Sequence, residues 1–299
     1  MLTARRDRLA AAAGRHDFLL RHVAEDLAQR LTLVRRSFPL AVNLGAYHGV
    51  VSRRLRDLGT IDVLIDVERS ARLLARCDGP RVLGDEEWLP FRARSLDLVV
   101  SGLALQFVND LPGTLIQIRR ALKPDGLMLA ALLGGRTLHE LREALTEAEI
   151  EVEGGASPRV APFADIRDLG GLLQRAEFAL PVADADTLTV TYDTAFDLMR
   201  DLRGMGAANV LIERRQSLSR RATLLRAVEI YAQSHGAANG RIPATFEVIT
   251  LTGWAPHDTQ QKALAPGSAT TRLADALGTT EQPAGDKAGA QTLHKPKKR

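Results

Sequence analysis

Between Phe38 and Glu68 the chain alternates in a way that few folds accept. An apolar run, Phe38 to Leu44, ends in the turn Asn43-Leu44-Gly45-Ala46-Tyr47-His48-Gly49. A helical pattern follows, with Val51, Leu55 and Leu58 on one face, and a second apolar run, Ile61 to Ile65, closes on Asp66 and Glu68. Strand, glycine turn, helix, strand, then an acid about 20 residues on is how an open parallel sheet holds a nucleoside. Gly45 lets the backbone turn sharply and approach a ligand that a Cβ would obstruct. The turn lacks G-x-G-x-x-G, because Tyr47 stands where the middle glycine belongs, and no G-x-x-x-x-G-K-[ST] occurs anywhere. Such a turn suits a ligand without phosphates, such as the nucleoside sulfonium S-adenosylmethionine. The competing reading is a plain strand–helix turn that binds nothing.

The alternation continues. Arg81-Val82-Leu83 reads as a short strand reaching Asp85, and Leu96 to Ser101 as a near-continuous apolar strand of the kind covered by helices on both faces. Leu111, Leu115, Ile118 and Leu122 mark a helix. Lys123-Pro124-Asp125-Gly126 breaks it and turns into a strand from Leu127 to Leu133. Five strands separated by helices predict an α/β fold with a doubly wound parallel sheet. Further on, a helix at 138–148, a loop at 153–162, helices near 164–175, 194–203 and 217–234, and strands Thr187 to Tyr192 and Thr245 to Thr252 are expected. Ahead of the sheet, Leu20, Val23, Leu27, Leu31 and Val34 give a helix over 15–36 packed on the body, with its first turn or two loosely held. The organisation expected is an N-terminal helical extension (1–38), one α/β domain (39–267) and a disordered basic tail (268–299).

Several functions are disfavoured. The formal net charge of +4 sits in the tail: five cations follow the last acid, Asp286, and the residues up to it carry a net charge of −1. The body therefore lacks the basic surface of a nucleic-acid binder; the terminal Lys-Pro-Lys-Lys-Arg leaves peripheral contact with an acidic membrane open. One cysteine, Cys77, makes neither an internal disulfide nor a cysteine cluster and is consistent with a reducing cytoplasm. The histidines show no ligand spacing, so no metal is expected. Ser101 lies in no G-x-S-x-G elbow. No apolar run reaches the roughly 18 residues of a membrane span. Arg5, Arg6, Arg8 and Arg15 suggest a transit peptide, but Asp7 and Asp17 argue against one.

In a doubly wound sheet the ligand crevice lies at the carboxyl ends of the strands. Glu68, with Asp66 as its rival, is there to hold a ribose, and Asp85 to accept from an adenine amino group. Gln106, Asn109 and Asp110, in the segment after the fourth strand, border the reacting end of the cofactor, where in-line positioning is the main requirement. Asn109 or Asp110 equally suits the N-cap of the helix starting near Leu111.

Three runs, Asp85-Glu86-Glu87-Trp88-Leu89-Pro90-Phe91, Ser95 to Ser101 and Leu122-Lys123-Pro124-Asp125-Gly126, resemble the core of class I S-adenosylmethionine-dependent methyltransferases. Val108 to Gly113, Gly154 to Arg159, Pro243 to Glu247 and Leu251 to Pro256 look like one branch of that superfamily. It is the branch of mitochondrial complex I assembly factor five, an arginine hydroxylase, and its alphaproteobacterial relatives. The core alone is also similar to the biotin-pathway malonyl-carrier-protein O-methyltransferase. The resemblance spans about Arg5 to Ser268 and implies a seven-stranded sheet whose last two strands form an antiparallel pair at one edge. It makes Arg5-Arg6-Asp7-Arg8 part of the mature chain. It also assigns Asn43, Gly45, Gly49, Glu68 and Asp85 to the cofactor, and Gln106, Asn109 and Asp110 to the reacting centre. Asn43 departs from the acid usual in the first motif, and Gln106 stands where relatives often carry histidine.

The expectation is thus an S-adenosylmethionine-binding enzyme modifying a protein side chain, a complex I subunit being the implied partner. It would be cytoplasmic in a bacterium or on the matrix side in a eukaryote. The alternatives are an O-methyltransferase acting on a small-molecule or carrier-bound carboxylate, and a non-catalytic assembly chaperone.

Overall fold

A computed structural model describes residues 2–261, 268 and 270–280. The chain divides into two units, Met1–Asp258 and Thr259–Arg299. In the second, the expectation of disorder falls largely outside the described residues; within them Leu273–Leu277 form one helical turn (α10), closed by Gly278 at φ +63°. None of the described helices is long and apolar enough to cross a membrane.

The first unit is built on seven strands: β1 (Phe38–Leu44), β2 (Ile61–Glu68), β3 (Arg81–Leu83), β4 (Leu96–Gly102), β5 (Leu122–Leu133), β6 (Ala179–Tyr192) and β7 (Ile242–Trp254). They lie in the order β3-β2-β1-β4-β5-β7-β6. The first five run parallel, while β7 pairs antiparallel with both β5 and β6. The order reverses between β1 and β4, so the crevice opens where Leu44-Gly45 and Gly102-Leu103 leave the sheet. This is the α/β sheet expected, antiparallel edge pair included.

Every residue of β4 is buried, as is β5 from Gly126 onward. Their apolar runs are unbroken because helices cover both faces. Leu127, Leu129, Ala131 and Leu133 point to one side, and Met128, Ala130 and Leu132 to the other, at the two-residue period of a strand. The first set meets α2 (Phe18–Thr32), α3 (Val50–Arg56), α6 (His139–Glu153), α8 (Ala195–Gly204) and α9 (Arg221–His235). The second meets α5 (Leu111–Ala121) and α7 (Ile166–Arg175). A further short helix, α4 (Ala71–Leu74), follows β2.

Three local expectations change. Lys123–Gly126 lies inside β5, with Asp125 at φ +62° and a register irregularity opposite Leu96–Leu98. The strand ending at Tyr192 begins eight residues before Thr187, at Ala179, because β7 offers it a partner along its whole length. The first turn of the helix expected over 15–36 is not loose: α2 opens at Phe18 with Leu19 and Leu20 buried, and the residues before it are docked as well. They form α1 (Leu2–Leu9) and a 3₁₀ helix, Ala10–Arg15. Ala10 and Ala13 are buried against Leu73 and Tyr47, and Arg6 is 5% exposed.

Candidate cofactor and substrate site

The turn after β1 is shaped by two glycines at positive φ, Gly45 (+72°) and Gly49 (+82°). A Cβ on Gly45 would stand 2.2 Å from the Cβ of Ala104 and 3.1 Å from Glu86 Oε1, so the backbone enters a space no side chain could share. Gly49 precedes α3 as its N-cap. Asn43, fully buried, faces away from this crevice: its Nδ2 donates to Ser52 Oγ at 2.8 Å and to Asp66 Oδ1 at 3.0 Å. Asp66 also accepts from Ser52 Oγ and, through Oδ2, from Arg56 Nη2 at 3.1 Å. In the sheet register Asn43 is opposite Asp66. The carboxylate usual at position 43 is therefore provided by the neighbouring strand, and an amide is the side chain that can donate to it. Asp66 belongs to this buried network and leaves the crevice to Glu68.

Glu68 closes β2 at zero exposure, with four contacts. Its Oε1 accepts from the backbone N–H of Ser70 at 2.9 Å and its Oε2 from that of Tyr47 at 2.9 Å. Both oxygens also lie 2.9 Å from Nη1 of Arg6, which reaches Glu86 Oε1 at 2.9 Å as well. Arg69 Nε donates to the other oxygen of Glu86 at 2.6 Å, and its Nη2 to Asp85 Oδ1 at 2.6 Å. Burial pushes the Glu68 carboxyl up, against the Arg6 charge and the Ser70 N–H that pull it down. For Arg6, burial opposes the cation, and the charges of Glu68 and Glu86 outweigh it and hold the guanidinium protonated.

One cavity adjoins this cluster, and a second adjoins the first. One, of about 70 Å³, lies between Gly45, Tyr47, Leu20, Gly102, Gln106 and Met205. Tyr47, at φ +54°, donates its hydroxyl to Met205 O at 3.1 Å, and burial pushes that hydroxyl up to about 12, so it stays a donor. The acid on this wall, Asp17, accepts from Arg21 Nε at 2.7 Å. The other cavity, of about 240 Å³, shares Gln106, Phe107, Leu133 and Ala207 with the first and extends between α6 and α8. Its wall is apolar apart from Gln106, Arg159, Arg203 and Asn209, and no acid lines it. Arg159 is held by Glu149 Oε1 at 2.7 Å, whose carboxyl is drawn down to about 2; burial opposes this, and Arg159 and Ser157 prevail.

Of the residues singled out from the sequence, Gly45 and Gln106 line the smaller cavity, and Glu68 lies buried behind it, bonded to Tyr47 and Arg6 of its wall. Asp85 stands beside it, 43% exposed at the side chain and tied to Arg69. Asn43 lies behind the turn. Asn109 and Asp110 are exposed and line neither cavity. Asp110 is the N-cap of α5, accepting from Gly113 N–H at 2.8 Å, and Asn109 donates to Glu87 Oε1 at 2.9 Å. Sequence reasoning missed Arg6, Glu86 and Tyr47. Nothing local marked Arg6 or Glu86 for burial, since each is buried against the other's charge.

An acid at the tip of β2, a glycine turn after β1 and a seven-stranded sheet with an antiparallel edge define a methyltransferase-fold protein. Residues 42–130 match the methyltransferase domain family, and the fold is shared with the YcgJ protein of Bacillus subtilis. That crystal structure aligns at a TM-score of 0.54 and 13% identity, over 78% of this chain and 99% of that one. The chain belongs to the family of the mitochondrial arginine-hydroxylase NDUFAF5. It is 39% identical to the Danio rerio protein over 267 residues, covering 88% of this chain and 83% of the relative. It is also 36% identical over 267 residues to the malonyl-[acyl-carrier protein] O-methyltransferase of Halorhodospira halophila, covering 85% and 88%.

Proposed function

We propose that this chain is an S-adenosylmethionine-binding enzyme that modifies an arginine side chain of a protein during assembly of respiratory complex I. The observation that carries this reading is the likeness to arginine-hydroxylase NDUFAF5 along nearly the whole folded chain, coinciding with a nucleoside-type crevice at Gly45 and Glu68. The residues fit the cofactor in kind: a buried carboxylate acceptor for two ribose hydroxyls, and a turn with no room for a side chain and no phosphate cradle. When bound, the cofactor supplies an electrophilic carbon on sulfur. The chain's part is to orient and to exclude water. Tyr47 and Ser70 aim the Glu68 carboxylate through backbone N–H groups, Gln106 borders both cavities where cofactor and substrate meet, and the apolar walls keep the junction dry. The enzyme acts in an aqueous compartment, the cytoplasm in a bacterium or the matrix in a eukaryote.

Calorimetric titration of S-adenosylmethionine and S-adenosylhomocysteine into the wild-type chain and into Glu68→Ala tests the site. Binding is expected in the first and at least a tenfold loss in the second. Absence of binding to the wild type would leave an assembly chaperone. Mass spectrometry of the modified substrate then separates the gain of a methyl group from the gain of an oxygen. A second reading, methylation of a carrier-bound carboxylate, is favoured by the larger cavity. Its wall holds no acid to receive a guanidinium, and Arg203, whose guanidinium has no hydrogen-bond or ion-pair partner among the described residues, offers a counter-charge to an anion.

A further inference from the structure

We infer that the N-terminal helix is an intramolecular plug of the cofactor site, with Arg6 as the group that competes with the ribose. This rests on the reading that Glu68 receives the ribose. A carboxylate offers about four lone-pair positions. Each oxygen of Glu68 already accepts from one backbone N–H, that of Ser70 or of Tyr47, and Arg6 Nη1 lies across both oxygens, sharing one N–H between them while its other N–H reaches Glu86. The two backbone donors are fixed by the β2–α4 and β1–α3 turns. Arg6 alone sits on a separable element. Two ribose hydroxyls therefore gain acceptors on Glu68 only when Arg6 leaves it.

The way α1 is attached fits such a role. Arg6 is the only residue of that helix that is buried, and no apolar side chain of α1 is fully covered. It is held by polar contacts: Arg6 to Glu68 and Glu86, Asp7 Oδ1 to Ser70 Oγ at 2.5 Å, and Arg5 Nη1 to Ala208 O at 2.6 Å. Arg76 Nη1 donates to Ala10 O at 2.8 Å, just beyond the helix. An element docked by hydrogen bonds over little apolar area opens at a free energy well below global unfolding. Glu86 is not stranded when Arg6 departs, because Arg69 remains on its other oxygen. The apparent affinity for cofactor is then the intrinsic affinity multiplied by the fraction of molecules with the plug released.

The test is calorimetric titration of S-adenosylhomocysteine into wild type, Arg6→Ala and Asp7→Ala, with limited proteolysis of residues 2–15 in each. Asp7→Ala loosens the helix without touching Glu68, so it serves if Arg6→Ala folds poorly. Both variants are expected to bind on the order of tenfold tighter or more, as a charge-assisted contact is removed from the competition. In the wild type the ligand should expose the segment to protease. Unchanged or weaker binding in both variants, or a segment that stays protected when ligand is bound, overturns the plug while leaving the site intact. Unchanged binding in Glu68→Ala would instead overturn the reading of the site itself.

Discussion

The pairing of Asn43 with Asp66 makes a quantitative prediction, because the first methyltransferase motif ordinarily has an acid where this chain has an amide. In Asn43→Asp, a donor 3.0 Å from Asp66 Oδ1 becomes a second carboxylate, at a site with zero exposure on both sides. Two unit charges about 3 Å apart repel by about 5.5 kcal/mol at an effective dielectric of about 20. Arg56, 3.1 Å from Asp66, offsets part of this. The pair can escape by binding a proton. For an aspartate with an ordinary pKa of about 3.9, that costs about 4 kcal/mol at pH 7. Protonation is the cheaper route, so about 4 kcal/mol bounds the destabilisation at pH 7, a large part of a typical domain's 5–15 kcal/mol. The sign with pH follows. Above about pH 4 the folded variant holds one more proton than its unfolded chain, so its stability falls by about 1.4 kcal/mol per pH unit relative to wild type. Urea unfolding of both proteins at pH 5, 6 and 7 should show the gap widen by about 2.7 kcal/mol across that range. The exchange variant Asn43→Asp with Asp66→Asn, which restores one acid and one amide, should recover most of the loss. A gap at pH 7 below about 0.5 kcal/mol, or one independent of pH, would refute the assignment of the motif's acid to Asp66.

Two further outcomes follow from other contacts. Gly45→Ala meets Ala104 at 2.2 Å and forces a side chain into positive φ, so it should lower stability by about 1–3 kcal/mol and weaken cofactor binding, read by thermal melting and titration. Glu149, drawn down to about 2, contributes stability that is present above the ordinary glutamate range and is lost as the pH falls towards 2. Glu149→Gln should therefore unfold more readily at neutral pH, by urea titration, and show a flatter acid limb than wild type.

The sheet was legible because its strands are coded by burial: continuous apolar runs in β4 and β5, punctuated by glycine and by acids at the crevice. The antiparallel edge came from resemblance to a known branch and not from pattern, since no residue of β6 is buried and its alternation of exposed and half-buried residues breaks between Ala183 and Thr187. The segment before α2 went unread for a physical reason. An alanine run has no apolar period to read, yet Ala10 and Ala13 are small enough to be buried beside Leu73 and Tyr47. Arg6 was opaque for another reason: its partners are 62 and 80 residues away, and a buried charge is intelligible only once its counter-charges are in place. Asp110 and Asn109 carried two readings at once, ligand and cap. The geometry gives Asp110 the cap and turns Asn109 toward Glu87.

The two margins of the sheet bear on how this chain meets other proteins. At one side β3 has only three residues, too few to template a neighbour. At the other, β6 is long, but it is interrupted at Ala179–Val182 by a register irregularity that includes Pro181, with Leu180 at φ +49°. Further along, it carries Asp184 and Asp186, the first held by Arg30. Short length, proline, a bulge and charge are the devices by which open strands avoid pairing with strangers. Neither margin of the sheet therefore offers another chain a ready strand to extend.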